Sequence, residues 1–359
     1  MGDATEKSLV THLTKKTTEA LTEDALLTEL SHGPATLAEL ATHYRCAQRA
    51  VSVVIRAAQA RGVNIHRFGQ HWSVSKQPAP QSQVFPYRSR PNDTYLFGVC
   101  SDQHLGSKYE RLDVLNELYD WFASRGVDRV FNAGNWIDGD DQRTQHDVFV
   151  HGMDPQIDYL IANYPKRRGL DTYAVWGEDH EGWYARRESI DIGRYVEQRM
   201  REAGRNDWIN LGFMEAAVTL QNRKSGVKAP PLVVMHPGGG SAYAISYRPQ
   251  KLVESLQGGE KPSVLLLGHY HKMSVNLFRS VWSVQCGCVQ DQSPFLRKIP
   301  SEPHIGGMIV ELEQDRRTGA ISACTVAQRQ YFNRAYENGR WSKSGPVVRP
   351  SKFRIGPKG

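Results

Sequence analysis

Five short stretches of this chain place metal-ligating residue types directly after apolar runs. Asp102 and His104 follow the run over residues 95–99. Alternate residues at a strand end share a face, so this carboxylate and imidazole converge on one point. Gly134-Asn135-Trp136-Ile137-Asp138 follows residues 129–133, and Gly177-Glu178-Asp179-His180-Glu181 follows residues 171–176. His236-Pro237-Gly238-Gly239 follows residues 231–235, and Gly268-His269-Tyr270-His271 follows residues 264–267. Oxygen ligands beside imidazole nitrogens suit Mn, Fe or Zn. The adjoining glycines let the backbone turn sharply and approach a site closely. One such histidine is most often a packed core residue. Five strand ends that all carry ligands point instead to a single site in the crevice beyond the strands' carboxyl ends.

The elements that must position these residues are legible in the hydrophobic pattern. Residues 94–100 read as a strand, 110–125 as an amphipathic helix with Leu112, Leu115, Leu118, Trp121 and Phe122 inward, and 129–133 and 171–176 as strands. A helix is expected over 187–203. The texture then turns to β over 213–221, 231–235, 264–267, 275–278 and 281–285, with one helix around 242–256 and a hairpin from 308–313 and 320–327. Alternating βα units followed by strands predict two sheets face to face with helices outside. The expected fold class is α/β, a four-layer α-β-β-α sandwich over residues 94–330.

A smaller domain is expected over residues 1–75. Residues 1–21 are polar. Thr22-Glu23-Asp24 starts a helix carrying Ala25, Leu26, Leu27 and Leu30, Thr36 caps a second over residues 37–44, and a third runs from about 47 to 61 with Val51, Val54, Ile55 and Ala58 on one stripe. Two alternating runs, 63–68 and 71–74, then read as a hairpin. This order resembles a winged helix-turn-helix domain. The resemblance makes the third helix the recognition helix, offering Gln48, Arg49 and Arg56 to DNA, with His66, Arg67 and His71 on the wing. A protein-docking module and a plain solvated face are the alternatives. Residues 76–93 contain several prolines and read as a semi-rigid linker. The chain after residue 331 is basic and aperiodic, a flexible tail.

Composition limits the classes. The chain has 359 residues, 40% of them hydrophobic and 23% charged, with a formal net charge of +7. That length supports a sizeable core and two domains, and the charge is compatible with a polyanionic partner. No apolar run approaches the roughly 20 residues of a membrane span, and the first residues lack the apolar core of a signal peptide. Five cysteines, few and odd in number, fit reduced thiols and a cytoplasmic location. Cys286-x-Cys288 lies in a strand-like run without a second pair and reads as buried packing.

The ordered set Asp-x-His, Gly-Asn-x-x-Asp, Gly-Glu-Asp-His-Glu, a lone His and Gly-His-x-His closely resembles the motifs of the calcineurin-like metallophosphoesterases, over about residues 94–290. Ser101-Asp102-Gln103-His104-Leu105-Gly106 is most similar to the branch of DNA double-strand-break repair exonucleases. The resemblance implies two divalent metals, Mn2+ before Mg2+, Fe2+ or Zn2+, sharing a bridging carboxylate and a hydroxide that attacks phosphorus in line. Carried over, Asp102, His104 and His271 hold the first metal, and Asp179, His236 and His269 the second. His180 stabilises the transition state or protonates the leaving oxygen, and Glu181 either orients it or is a surface carboxylate.

Two positions depart from the family's pattern. Asn135 stands where the family has its bridging Asp, and Asp179 where it has a metal-binding Asn, with one residue more than in Gly-Asn-His. The number of carboxylates is kept. Either Asp179, Asp138 or Asp140 takes the bridging role, or the metals bind more weakly, or the site is inactive. The glycines after His236 either cradle a phosphate at a helix start or merely form a tight turn. Tyr243, Tyr247, Arg248 and Lys251 line a nucleic-acid path or are simply solvated.

The expected function is that of a metal-dependent phosphodiesterase acting on DNA as a nuclease. A protein or small-molecule phosphatase, or a DNA-binding protein with an inactive phosphoesterase domain, are the alternatives. The repair exonucleases work with an ATPase partner. This chain has no Gly-x-x-x-x-Gly-Lys-Ser/Thr loop, so such a motor would be a separate protein.

Overall fold

The computed structural model describes residues 20–61, 63, 65–68, 70–74, 85–240, 242–257 and 261–334. All but the last two residues of the polar arm read over residues 1–21, the greater part of the linker and the basic tail past residue 334 lie outside them. The described chain forms two compact units. One holds the N-terminal residues together with 185–198, the other holds the remainder. Among the described residues no helix is long and apolar enough to cross a membrane.

In the N-terminal unit, helix α1 (Glu23–His32) starts where the Thr22 hydroxyl accepts the Ala25 N–H, with Glu23 and Asp24 complementing the helix dipole. Helix α2 (Leu37–His43) starts on a capping box between Thr36 and Glu39. Helix α3 (Gln48–Ala60) buries Val51, Ile55 and Ala58. Leu26, Leu30, Leu40, Val51 and Ile55 make one core. Strands β2 (Ile65–Phe68) and β3 (His71–Val74) form the expected hairpin, and a two-residue strand β1 (Ala35–Thr36), too short to read from sequence, pairs with β3. The order is helix, strand, helix, helix, hairpin. An antiparallel bridge joins Val63 to Ile190 within this unit.

The second unit is α/β, with two six-stranded sheets. One has the order β15-β14-β5-β6-β7-β8 and the other β12-β13-β11-β10-β9-β4. In the first, β5 (Thr94–Cys100), β6 (Arg129–Asn132), β7 (Asp171–Trp176) and β8 (Trp208–Phe213) run parallel, with β14 (Ile305–Gln314) and β15 (Ile321–Tyr331) antiparallel at one edge. In the second, β10 (Leu232–Met235), β11 (Val264–Leu267) and β13 (Val281–Cys286) are parallel, flanked by β12 (Met273–Phe278), β9 (Glu215–Gln221) and β4 (Phe85–Arg88). The inner faces share one core, in which Phe97, Val99 and Phe131 of the first sheet meet Val218, Leu232, Val234 and Leu266 of the second. Burial on both faces explains the unbroken apolar runs.

Helices cover both outer faces. Helix α4 (Leu112–Ser124) lays Phe122 on Gly98, where an added Cβ would come within 2.9 Å of the ring. On the other sheet, Val253 packs against Leu265, Leu267 and Val281. The four layers are therefore helix, sheet, sheet, helix.

Four details differ from the sequence reading. The linker ends early: β4 joins a sheet edge, where Pro86 is tolerated and Tyr87 is buried. Helix α5 (Met153–Asn163) escaped notice because Pro155, which reads as a breaker, falls in the first turn. The helix expected over 187–203 is two, α6 (His180–Glu188) and α7 (Ile192–Glu202). Ser189 turns left-handed between them, and the Asp191 carboxylate accepts the Arg194 N–H. Helix α8 (Tyr247–Ser255) begins well after the glycine run, so Gly238 and Gly239 do not form a phosphate cradle at its N-terminus.

Candidate metal centre

In-register pairing sets the strand ends level. Cys100, Asn132 and Ala174 are neighbours across β5, β6 and β7, and Met235 pairs with Leu267 across β10 and β11. Both sheets therefore deliver their loops to one edge. Backbone bonds lace these loops together: the Asp102 N–H donates to the Gly134 carbonyl and the His104 N–H to that of Asn135, both at 2.9 Å. Asp102, His104, Asn135, His269 and His271 all have positive φ, between 49° and 71°. Non-glycine residues avoid that region, and strain of this kind gathers at functional sites.

Two triads result. Asp102, His104 and His271 face one another, with His271 Nε2 3.2 Å from His104 Nε2 and 3.4 Å from Asp102 Oδ1. In the second, Asp179 Oδ1 lies 3.5 Å from His236 Nε2 and Asp179 Oδ2 lies 3.4 Å from His269 Nδ1. The two are joined, because the His269 N–H donates to Asp102 Oδ2 at 2.9 Å. Asn135 sits beside the first, its Nδ2 donating to Asp102 Oδ1 at 3.3 Å. Three of the four rings are aimed by their other nitrogen, while Nδ1 of His271 is buried without a hydrogen-bond partner among the described residues. His236 Nδ1–H donates to the Ala133 carbonyl at 2.6 Å, His269 Nε2–H to that of Gly239 at 2.7 Å, and His104 Nδ1–H to the Asp138 carboxylate at 3.0 Å. Such outer hydrogen bonds fix the tautomer that presents a lone pair to a cation.

Three glycines let the loops close on His236. A Cβ at Gly134 would come within 2.5 Å of its Nδ1, one at Gly177 within 2.5 Å of its Cδ2, and one at Gly268 within 3.1 Å of Nδ1. Small residues are required there by contact, as the glycine-flanked motifs led one to expect.

Burial alone would raise the Asp102 carboxyl, but His271, His236 and His104 outweigh it and hold it well below the usual range. Asp179 behaves likewise, held down by His236 and His269. Burial would lower His236, yet Asp179 and Asp102 push it up to about 9. Against the same penalty, Cys288 and Asp102 push His271 to about 10. Burial and the charge of His180 lower His104 to about 4. Without a cation, protons on imidazoles thus balance two carboxylates. A metal would replace those protons.

A divalent metal fits this donor set. Asn135 Oδ1, Asp179 Oδ1 and His236 Nε2 are buried and have no hydrogen-bond partner among the described residues. The donors are hard oxygen and imidazole nitrogen. Asp140 is spent elsewhere: its carboxylate accepts the Gly152 N–H at 2.7 Å and the Tyr184 hydroxyl at 2.9 Å. Asp138 lies on the outer nitrogen of His104. The carboxylates that face the triads are Asp102 and Asp179.

His180 stands next to the first triad, its ring centroid 4.3 Å from that of His104. Its Nδ1–H donates to the Asp138 carbonyl at 2.6 Å. Burial would lower its pKa, but Asp179 and Asp138 raise it. Glu181 is neither a surface carboxylate nor the group that orients His180. It is fully buried, and its Oε1 accepts the N–H of Asn135 at 2.9 Å and of Gly177 at 3.0 Å. It clamps two ligand loops together, and burial pushes its carboxyl up to about 7. The sequence carried no signal for this role beyond a carboxylate following His180.

Gln48, Arg49, Arg56 and Arg67, expected to touch nucleic acid, are all exposed on the N-terminal unit. Arg56 Nε donates to the Ser52 carbonyl at 3.2 Å, and the Arg67 guanidinium lies 5.9 Å from the Trp72 ring centroid. The His66 side chain lies outside the described part. Cys286 and Cys288 are buried and belong to no ligating group among the described residues.

No family model and no curated protein matches the chain. Solved structures similar to it include an archaeal phosphodiesterase, at 13% identity, 66% of this chain and 100% of that one, with a TM-score of 0.34. Another is vacuolar protein sorting 29 from Cryptosporidium parvum, at 15% identity, 67% of this chain and 99% of that one, with a TM-score of 0.34.

Proposed function

We propose that the chain is a divalent-metal-dependent phosphodiesterase that hydrolyses nucleic acid, DNA foremost. The observation that supports this best is the pair of joined triads, each with one carboxylate and two imidazoles, three of the four rings being aimed by outer hydrogen bonds. Asp102, His104 and His271 would hold one cation, and Asp179, His236 and His269 a second. When bound, such cations neutralise phosphate charge and supply a hydroxide nucleophile at neutral pH. Manganese is the expected ion, given the mixed donor set. Asn135 offers its amide oxygen at the edge of the first triad, and Asp179 provides the carboxylate that Asn135 lacks.

His180 is the general acid of this reading. The Asp138 carbonyl fixes its tautomer, and neighbouring carboxylates keep it protonated to higher pH, so that Nε2 can hand a proton to the leaving oxygen. The nucleic-acid part rests on the net charge of +7 and on the N-terminal unit. Its helix–strand–helix–helix–hairpin order is compatible with a winged helix-turn-helix reading, with Gln48, Arg49 and Arg56 exposed on the third helix and Arg67 on the hairpin.

The test is incubation with single- and double-stranded DNA in Mn2+ or EDTA, beside His180→Ala. Cleavage that needs Mn2+ and is lost in the variant supports the reading. Salt-sensitive DNA binding without cleavage of DNA or of any small phosphodiester would instead mean a binding protein with an inactive centre.

A further inference from the structure

We infer that the rim beside the second triad, formed by Tyr243, Tyr247 and Arg248, holds an unpaired strand of nucleic acid and makes single-stranded ends the substrate of the centre. This rests on the phosphodiesterase reading and names its substrate class.

The rim is tied to the centre by short contacts. His269, a candidate ligand through Nδ1, donates through Nε2 to the Gly239 carbonyl at 2.7 Å. The Arg248 guanidinium lies against that same Gly239, where an added Cβ would come within 3.2 Å of Nη1. The Tyr270 hydroxyl donates to the Gly238 carbonyl at 3.4 Å, and Gln285 Nε2 donates to the Ile245 carbonyl at 3.1 Å, bracing the segment from the other side. Helix α8, which carries Tyr247 and Arg248, is seated on the outer sheet face through Val253. The backbone on either side of Tyr243 is thus anchored, at Gly238, Gly239 and Ile245.

Its side chains are arranged for an anionic, aromatic guest. Tyr243 is fully exposed at 109% and Tyr247 half-exposed at 49%, and Ile245 between them is exposed at 44%. Large apolar groups clustered at the mouth of a site mark a binding surface. Among the described residues no carboxylate pairs with Arg248, and its Nε is buried without a hydrogen-bond partner. An unpaired guanidinium next to a phosphodiester centre fits the next phosphate of the strand. Inside a duplex each base face is covered by its neighbours, so successive bases stack on exposed rings when the strand is unpaired, and each stacked base contributes sequence-tolerant affinity. A base-paired end offers only the outer face of its terminal pair, so it cannot cover both tyrosines with successive bases.

The test compares a short single-stranded oligonucleotide, its blunt duplex and bis(p-nitrophenyl) phosphate, all with Mn2+. The wild-type chain is expected to cleave the single strand with the highest kcat/KM. Tyr243→Ala and Tyr247→Ala should each raise KM for the single strand about tenfold, with kcat little changed, and Phe at either position should restore it. Arg248→Gln should reduce the salt dependence of single-strand binding, measured by anisotropy in EDTA, by about 0.7 in log–log slope. An unmoved KM, failure of Phe to rescue, or preference for the blunt duplex overturns the inference. Turnover of bis(p-nitrophenyl) phosphate without cleavage of any oligonucleotide removes this inference and the nucleic-acid assignment but leaves the phosphodiesterase. No metal-dependent turnover of any of the three removes both.

Discussion

The two triads share a ligand chemistry but not an environment. Asp102, His104 and His271 are all buried, all three hold left-handed backbone, and the Asp102 carboxylate accepts the His269 N–H and the Asn135 amide. In the second triad only His236 is buried, only His269 is left-handed, and Asp179 faces its two imidazoles with one oxygen unpartnered. The first is a rigid seat shielded from water. The second opens toward the Gly238–Gly239 turn and the rim beyond it. Charges interact more strongly in a dry site, so the buried triad should bind its cation more tightly and release it more slowly. The open one should be where substrate engages.

The largest expected effect comes from removing the carboxylate of each triad in turn. Asp102→Ala strands buried imidazolium groups and should cost about 3–5 kcal/mol of stability in the metal-free protein, whereas Asp179→Ala, at a partly exposed position, should cost much less. Both should abolish turnover. Calorimetric unfolding in EDTA separates them, and equal losses would erase the distinction between the seats.

Next in size is His180→Ala, which should lower kcat by about 10²–10⁴-fold while metal content by elemental analysis stays at the wild-type value. Loss of bound metal would instead make His180 a ligand.

A smaller effect is expected from Gly134→Ala. The new Cβ meets His236 at a backbone φ of +100°, and crowding of this kind costs about 1–3 kcal/mol. The second metal should be weakened more than the first, which a two-site titration would resolve.

A different kind of effect is expected on pH. His236 and His271 have folded pKa values of about 9 and 10, above the unfolded value. Their stabilisation of the metal-free protein is therefore complete below the unfolded pKa of about 6.5 and lost as pH rises through those folded values. The melting temperature in EDTA should fall from about pH 7 to about pH 10. With metal bound those protons are already displaced, and the fall should vanish. A parallel fall with and without metal would show that other groups govern the alkaline limb.

Much of the centre was legible because metal ligation demands particular residue types. Asp102, His104, Asp179, His236, His269 and His271 stood out as hard or imidazole donors after apolar strands, and they lie in two groups that could hold a metal ion. Strand positions were legible for a related reason: strands buried on both faces must be continuously apolar. Helices α5 and α6 were not, since Pro155 and the charged, Gly182-containing run from His180 to Glu188 hide their period. The same limit applied to Glu181, whose hydrogen bonds reach Asn135 and Gly177 on two different loops.

The sequence by itself determined the donor set, the glycines beside it and the alternation of strand and helix, because each depends on side-chain chemistry or on local backbone freedom. Only the tertiary structure decided which ligands share a seat, that Asp140 is spent on Tyr184 and Gly152, and that Asp138 serves the far side of His104. It also decided that one triad is dry and the other open. Those outcomes follow from strand register and sheet packing, which bring together residues far apart along the chain, and no local pattern encodes such distances.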